Sequence, residues 1–477
     1  MAVGADGVTG EFLTSMWDAL GGDRQWLGRV AIKGQGAMPS CLPMTDLGTA
    51  SFASTGLAIA ELLSTSEIRD RAVEVDRASC YAWLRMAAVR PVGPRVARRG
   101  PFHDISTDYE TADGRWVRFQ ANYDHLRAAT LAALDAKEDR AAIAEIIRRH
   151  HADEIEQRII DGGGAAAASR SIEEWLAHPQ GKAVAGEPLV EVNATSAVEE
   201  RWLPNAERPL AGVRVLDLTR VLAGPLATRC LAGYGAEVLR LDPPGYLEPG
   251  GSSGGELMLG KRCAHLDLKT AEGRKAFLAL LADADVLVHG LRADALDRLD
   301  LGREVREQSR PGLIEVTLNA YGWSGPWRLR RGFDTLVQTS CGLADAGMRW
   351  AGSDRPFRWP FSVLDHVTGY LMAAAAVRGL TRRVQTGQGS LARLSLARTA
   401  ASLIAGGEQG AQPELPFPPE GPFDPRVAST VDGPVRRLEW PVTLPGAPLY
   451  WERPGDPYGS STALWTTSAE VGRWREA

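Results

Sequence analysis

From Pro209 onward, short apolar runs alternate with stretches of helical spacing. "GVRVLDL" (212–218) reads as a β-rich run, "VLAGPLATRCLAGYG" as a helix, and "AEVLRLD" (236–242) as a second strand, which makes a strand–helix–strand unit of the parallel kind. "KTAEGRKAFLALLADA" repeats apolar positions at helical intervals behind Thr270, a side chain suited to capping a helix start. "DVLVHGL" (285–291) and "LIEVTLNAYG" (313–322) add two strand-like runs. Four strands alternating with helices predict an α/β, Rossmann-like parallel half-sheet. No G-x-G-x-x-G follows the first strand, so the pattern gives no support for dinucleotide binding.

The pattern changes on either side. "YETADGRWVRFQAN" (109–122) alternates like a hairpin turning at Asp113-Gly114, and helical segments follow through 124–160. "GGG" at 162–164 reads as a linker. These features predict a small α+β domain over 91–205, ahead of a large domain over 206–405 and a Pro/Gly-rich tail over 406–477, read as an ordered wrap or a partly loose end. Residues 1–90 hold a second feature. "LPMTDLGTASFASTGLAIAEL" (42–62) and "FSVLDHVTGYLMAAAAVRGL" (361–380) each place an Asp at the mouth of a long small-residue helix, and Asp46 and Asp365 lie 319 positions apart. Thr49 and Thr368, Ala78 and Ala397, and Leu84 and Leu403 keep the same offset. Segments 26–85 and 345–404 therefore read as two copies of one helix–loop–helix piece, the first a partial copy.

Composition narrows the class. A chain of 477 residues exceeds one ordinary core and predicts two or three domains. A formal net charge of -5 argues against a nucleic-acid partner, which needs a concentrated basic face. Five scattered cysteines (Cys41, Cys80, Cys230, Cys263, Cys341) with no CxxC read as reduced thiols, with neither a disulfide frame nor a metal site. No apolar run reaches the roughly 18 residues of a membrane span. The expectation is a soluble cytoplasmic protein whose partners are small molecules.

An Asp in the first turn of a helix has chemical potential, because the exposed N–H groups favour and position its carboxylate for nucleophilic attack; it is equally a common structural cap. Its surroundings carry the distinction. "PLAGVRVLDLTRVLAGPLATRCLAGYGAEVLRLD", "GKRCAHLDLKTAEGR", "ADVLVHGLRADALDRLDLG", "VTLNAYGWSGPW" and "RGFDTLVQTSCGL" occur in that order. Over residues 209 to about 404 this closely resembles the class III coenzyme A transferases, the CaiB–BaiF superfamily that includes formyl-CoA transferase and the α-methylacyl-CoA racemases.

The resemblance implies a Rossmann-like large domain, a smaller domain and two chains interlocked like links. It implies that Asp365 attacks an acyl-CoA thioester, that an aspartyl-CoA thioester follows, and that an acceptor carboxylate takes up the CoA. Asp46 is the fallback nucleophile. Arg240, Lys261, Arg262 and Arg292 match the family's CoA-binding positions, and Ala223 and Gly224 of the "AGP" lie where its backbone nears the reacting centre. No permanently bound cofactor is implied; coenzyme A enters as substrate. Racemase members place a His where this chain has Phe333, which favours transferase over racemase chemistry, and His366 beside Asp365 reads as a solvated or capping residue. The family's small domain, expected after about residue 404, reads as preceding the large one here, so the chain resembles a fusion of two incomplete copies. Either two chains interlock or the two copies imitate a dimer within one chain. A catalytically degenerate CoA-binding protein is the third reading.

Overall fold

The computed structural model describes residues 3–4, 7–66, 71–86, 88–93, 103–199, 202–248, 255–357, 359, 361–417, 419, 421–428, 430 and 433–466. Its main feature is a seven-stranded sheet in the order Lys261–His265, Glu237–Asp242, Arg214–Leu218, Val286–His289, Ile314–Asn319, Gln388–Ser395, Glu191–Ala197. The first six are parallel, and Glu191–Ala197 closes the edge antiparallel to Gln388–Ser395. Numbered along the chain, the parallel strands run 3-2-1-4-5-6, the doubly wound Rossmann order.

The four strands expected from sequence are present, and three more join them: Lys261–His265, Gln388–Ser395 and Glu191–Ala197. Lys261–His265 escapes a periodicity reading because its lysine and arginine suggest surface positions, yet Lys261 and Cys263 are fully buried. Gln388–Ser395 carries Arg393 between buried Ala392 and Leu394. Thr270 caps the Ala271–Ala282 helix by accepting the Gly273 N–H at 3.0 Å, as its sequence context predicts.

The two Asp helices, Met44–Leu63 and Val363–Thr386, pack against each other at the centre of the molecule. Every residue of the first is buried, as is the second from Val363 through Thr381. Phe52 meets Tyr370 at 4.1 Å between ring centroids, Thr55 donates its hydroxyl to the Tyr370 carbonyl at 3.0 Å, and Arg378 pairs with Glu61. No helix among the described residues is long and apolar enough to cross a membrane.

The repeat has a structural counterpart, with one correction. The shared unit is helix–strand–helix, not helix–loop–helix. Met44–Leu63 leads to strand Val73–Asp76 and helix Arg77–Leu84; Val363–Thr386 leads to strand Gln388–Ser395 and helix Leu396–Ala405. The starts of both helices in each unit keep the offset of 319. So do their caps: Asp76 accepts the Ser79 N–H, and Ser395 accepts the Arg398 N–H. "VEVD" is too short for its alternation to stand out from a loop, but its burial alternates as a strand requires.

The hairpin Asp108–Glu110/Trp116–Phe119 forms as expected and takes Ala166–Ala168 as a third antiparallel strand, covered by the helices Asp124–Leu134, Arg140–Ile147 and Ala152–Asp161. "GGG" is more than a linker: it joins the Ala152–Asp161 helix directly to this sheet, and the Gly163 carbonyl accepts from Arg331. The carboxy-terminal segment crosses to the first copy. Val442–Thr443 adds an antiparallel strand beside Val73–Asp76, and Val435–Arg437 pairs with Val89–Pro91.

Candidate active site

Asp365 occupies the first turn of the Val363–Thr386 helix and is 7% exposed. Its backbone N–H donates at 3.0 Å to Oδ2 of Asp334, which opens the Asp334–Ser340 helix. The Asp334 carboxylate also takes the Leu364 N–H and the Gln338 side-chain amide, so the helix-start donors expected to steady Asp365 are occupied by a second acid. No hydrogen bond or ion pair reaches the Asp365 carboxyl among the described residues.

This arrangement sets the charge state. Burial first, and the neighbouring Asp334 second, push the Asp365 carboxyl well above the ordinary carboxylate range. Burial raises Asp334 to about 6, against the pull of its three donors and of Arg118. Two acids this close do not both ionise readily, and the one with more hydrogen-bond donors keeps the charge. Asp334 has that role, and Asp365 holds the proton. The helix-start argument alone favours an ionised Asp365; burial beside Asp334 reverses it.

His366 is 1% exposed, buried instead of solvated. Burial holds its imidazole near 4, hence neutral at pH 7. Nδ1 lies 2.8 Å from the Ser362 carbonyl, which assigns the proton to Nδ1, and Nε2 is buried without a partner.

One cavity adjoins the Asp365 helix start, and a second reaches Phe333, next to Asp334. The smaller, about 380 Å³, is lined by Asp334, Gln338, Ser362 and His366 together with Leu222, Met86, Phe357, Trp359 and Phe361. The larger, about 670 Å³, lies at the carboxyl ends of the parallel strands: Leu218, Gly290 and Asn319 line it. This is the crevice where strand order reverses between Arg214–Leu218 and Val286–His289. It carries Arg220, Arg292, Arg328, Arg330 and Arg331. Arg330 is held by Glu156 at 2.8 Å, whereas Arg292 and Arg328 have no carboxylate partner among the described residues.

The "AGP" turn separates the cavities. Leu222 faces the smaller and Val221 the larger. Val221 has φ 68°, a left-handed conformation that a β-branched residue adopts only under strain, and its N–H donates to Glu248 at 3.0 Å. A Cβ on Gly224 would lie 2.3 Å from Thr219, and one on Gly369, a turn beyond Asp365, would lie 2.5 Å from the Ala223 carbonyl. Ala223 and Gly224 thus bring this turn against the Asp365 helix.

The other sequence candidates are dispersed. Arg292 lines the larger cavity. Arg240 is fully buried and grips Asp242 through two bonds of 2.7 and 3.1 Å. Lys261, also fully buried, donates to Asp217 at 3.1 Å and to the Pro225 carbonyl at 3.0 Å; burial lowers its ammonium to about 8. As placed, these two charges brace the sheet and the AGP turn. Arg262 points to the carboxy-terminal segment, donating to the Leu464 carbonyl at 2.6 Å. Asp46 lies apart from both cavities. One carboxylate oxygen accepts from Thr9 at 2.5 Å and pairs with Arg77 at 2.9 Å, all three residues being buried.

Sequence reasoning did not single out Asp334, although it lies within the quoted "RGFDTLVQTSCGL", nor Asp217. An acid inside an apolar strand, "VLDL", and one beginning a helix were the available signals.

Six parallel strands in doubly wound order, closed by one antiparallel strand, define an α/β protein with a crevice at the carboxyl ends of its strands. Residues 210–414 match the model of CoA-transferase family III. It is 32% identical over 213 residues to the probable fatty acyl-CoA transferase Rv3272 of Mycobacterium tuberculosis, covering 42% of this chain and 54% of that protein. It is 32% identical over 195 residues to mouse succinyl-CoA:glutarate CoA-transferase, covering 38% and 44%. The crystal structure of Rv3272 aligns with a TM-score of 0.38 at 30% identity over 42% of this chain and 58% of that one. The chain spans about half the length of the curated relatives it matches.

Proposed function

We propose that the protein moves coenzyme A between carboxylic acids, with Asp365 as the covalent nucleophile. One observation carries the reading: a carboxyl without a partner stands at a helix start whose neighbours Ser362 and His366 line one cavity, while the arginine-lined crevice reaches Phe333, next to the Asp334 that anchors that helix. The crevice suits the phosphates and adenine of CoA, with Arg292 and Arg328 as unengaged cations.

In the proposed cycle Asp365 first loses its proton to water and reacts as the carboxylate. Its oxygen attacks the thioester carbonyl, the C–S bond breaks, and CoA thiolate leaves an aspartyl–acyl anhydride. The thiolate attacks the aspartyl carbonyl, releasing the first acid and forming aspartyl-CoA thioester. The acceptor carboxylate attacks that thioester and expels thiolate. The thiolate then takes the acceptor acyl group and restores the Asp365 carboxylate. Substrate entry excludes water and strengthens electrostatic effects within the site.

The test is mass spectrometry after incubation with acyl-CoA and hydroxylamine. A hydroxamate on Asp365 is expected. Transfer with an unmodified Asp365, or a hydroxamate on Asp46, overturns the assignment.

A further inference from the structure

The smaller cavity draws its walls from three parts of the chain. Met86 follows the second helix of the first copy, Arg118 stands on the hairpin strand Trp116–Phe119, and Phe357, Trp359 and Phe361 lead into the Asp365 helix. The aromatic wall is braced. Phe357 and Trp359 meet edge to face at 4.8 Å, Trp350 backs both at 5.9 and 5.8 Å, and the Trp359 indole N–H donates to the Leu343 carbonyl at 3.3 Å. Trp359 and Phe361 are 6% and 8% exposed, so little rearrangement is open to them. Of the two arginines on the wall, Arg118 is bound by Asp108 at 2.8 and 2.9 Å, Arg85 has no carboxylate partner among the described residues, and Asp334 adds a second carboxylate. Arg85 stands over the Phe417 ring at 3.7 Å and donates to the Tyr81 hydroxyl.

We infer that this cavity is the acyl pocket and accepts an acyl group with an apolar body of aromatic size in preference to a short dicarboxylate. The inference rests on the CoA-transfer reading and names the substrate class of that site. A flat apolar group gains contact with Phe357, Trp359 and Phe361. The distal carboxylate of a C4 acid meets Arg118 already engaged by Asp108 and shares the cavity with the Asp334 carboxyl. That leaves Arg85, held over the Phe417 ring, as its one unpaired cation among the described residues, and its desolvation only partly compensated.

Binding and turnover are measured separately, with phenylacetyl-CoA, hexanoyl-CoA, succinyl-CoA and free CoA as probes. Calorimetry on the intact protein should show phenylacetyl-CoA binding about tenfold or more tightly than succinyl-CoA, the range one well-filled apolar site provides. Trp359→Ala should reduce that preference several-fold while leaving free CoA affinity unchanged. Phe357→Leu, a milder change, should move it in the same direction. Succinyl-CoA binding as tightly as phenylacetyl-CoA, or a preference unmoved in both folded variants, overturns the inference. Preferential phenylacetyl-CoA binding without CoA transfer to any acid tried upholds the pocket and defeats the transfer reading; transfer confined to succinyl-CoA does the reverse.

Discussion

Asp334 takes the backbone N–H of Asp365 at 3.0 Å across a sequence gap of 31 residues, so the acid that anchors the helix also withholds charge from the acid at its mouth. The site is built to keep Asp365 neutral until something displaces its proton.

Replacing Asp365 with Asn should abolish CoA transfer and stabilise the protein. The sign follows from burial: the folded carboxyl binds its proton more tightly than the unfolded one, so native stability falls as pH rises above the unfolded value of about 4. Asn removes that loss. Thermal unfolding should place the variant above the parent by on the order of 1–3 kcal/mol at pH 8, with the difference shrinking toward pH 4. A variant less stable at pH 8 would contradict the protonation assignment.

Asp334→Asn should act on the pH profile. Its remaining oxygen still accepts from the helix start, but the repelling charge is gone, so Asp365 ionises more readily. The acid limb of kcat/KM should move down by on the order of one pH unit. A profile that loses height without moving would mean that Asp334 serves only to hold the helix.

Asp46→Asn should leave transfer intact and cost about 3 kcal/mol of stability, because Arg77 would be left buried without its counter-charge. Chemical denaturation and a transfer assay on the same preparation separate the two effects. Loss of transfer from a fully folded variant would bring the first copy into the chemistry.

Arg292→Ala should weaken CoA binding by roughly tenfold at low salt and flatten its salt dependence, since an exposed cation acting on phosphate is screened. Equal affinities at 20 and 500 mM salt for both forms would remove Arg292 from the phosphate site.

Much of this was written in the order of residues. "GVRVLDL", "AEVLRLD" and their successors become strands because buried parallel strands are continuous apolar runs, and Thr270 caps its helix because a local bond decides it. The strand Lys261–His265 was hidden by its own chemistry: a lysine inside a sheet is intelligible only once Asp217, 44 residues earlier, is known to face it. Asp334 was hidden in the same way. Its motif is plain in the sequence, but its effect on Asp365 runs through space between two helices. The left-handed Val221 leaves no trace in composition, since nothing about valine favours that backbone.

The strand Val442–Thr443 has a consequence for synthesis. It completes the sheet beside Val73–Asp76, with Val442 opposite Val75, and the same valine would lie 2.5 Å from a Cβ on Gly56. The first copy therefore emerges from the ribosome some 370 residues before its last strand exists. The Met44–Leu63 helix, buried along its whole length in the finished molecule, must wait or be sheltered while the whole second copy is made, which makes final closure a long-range and slow event. A chain halted before residue 442 would expose the face that the finished molecule hides most completely.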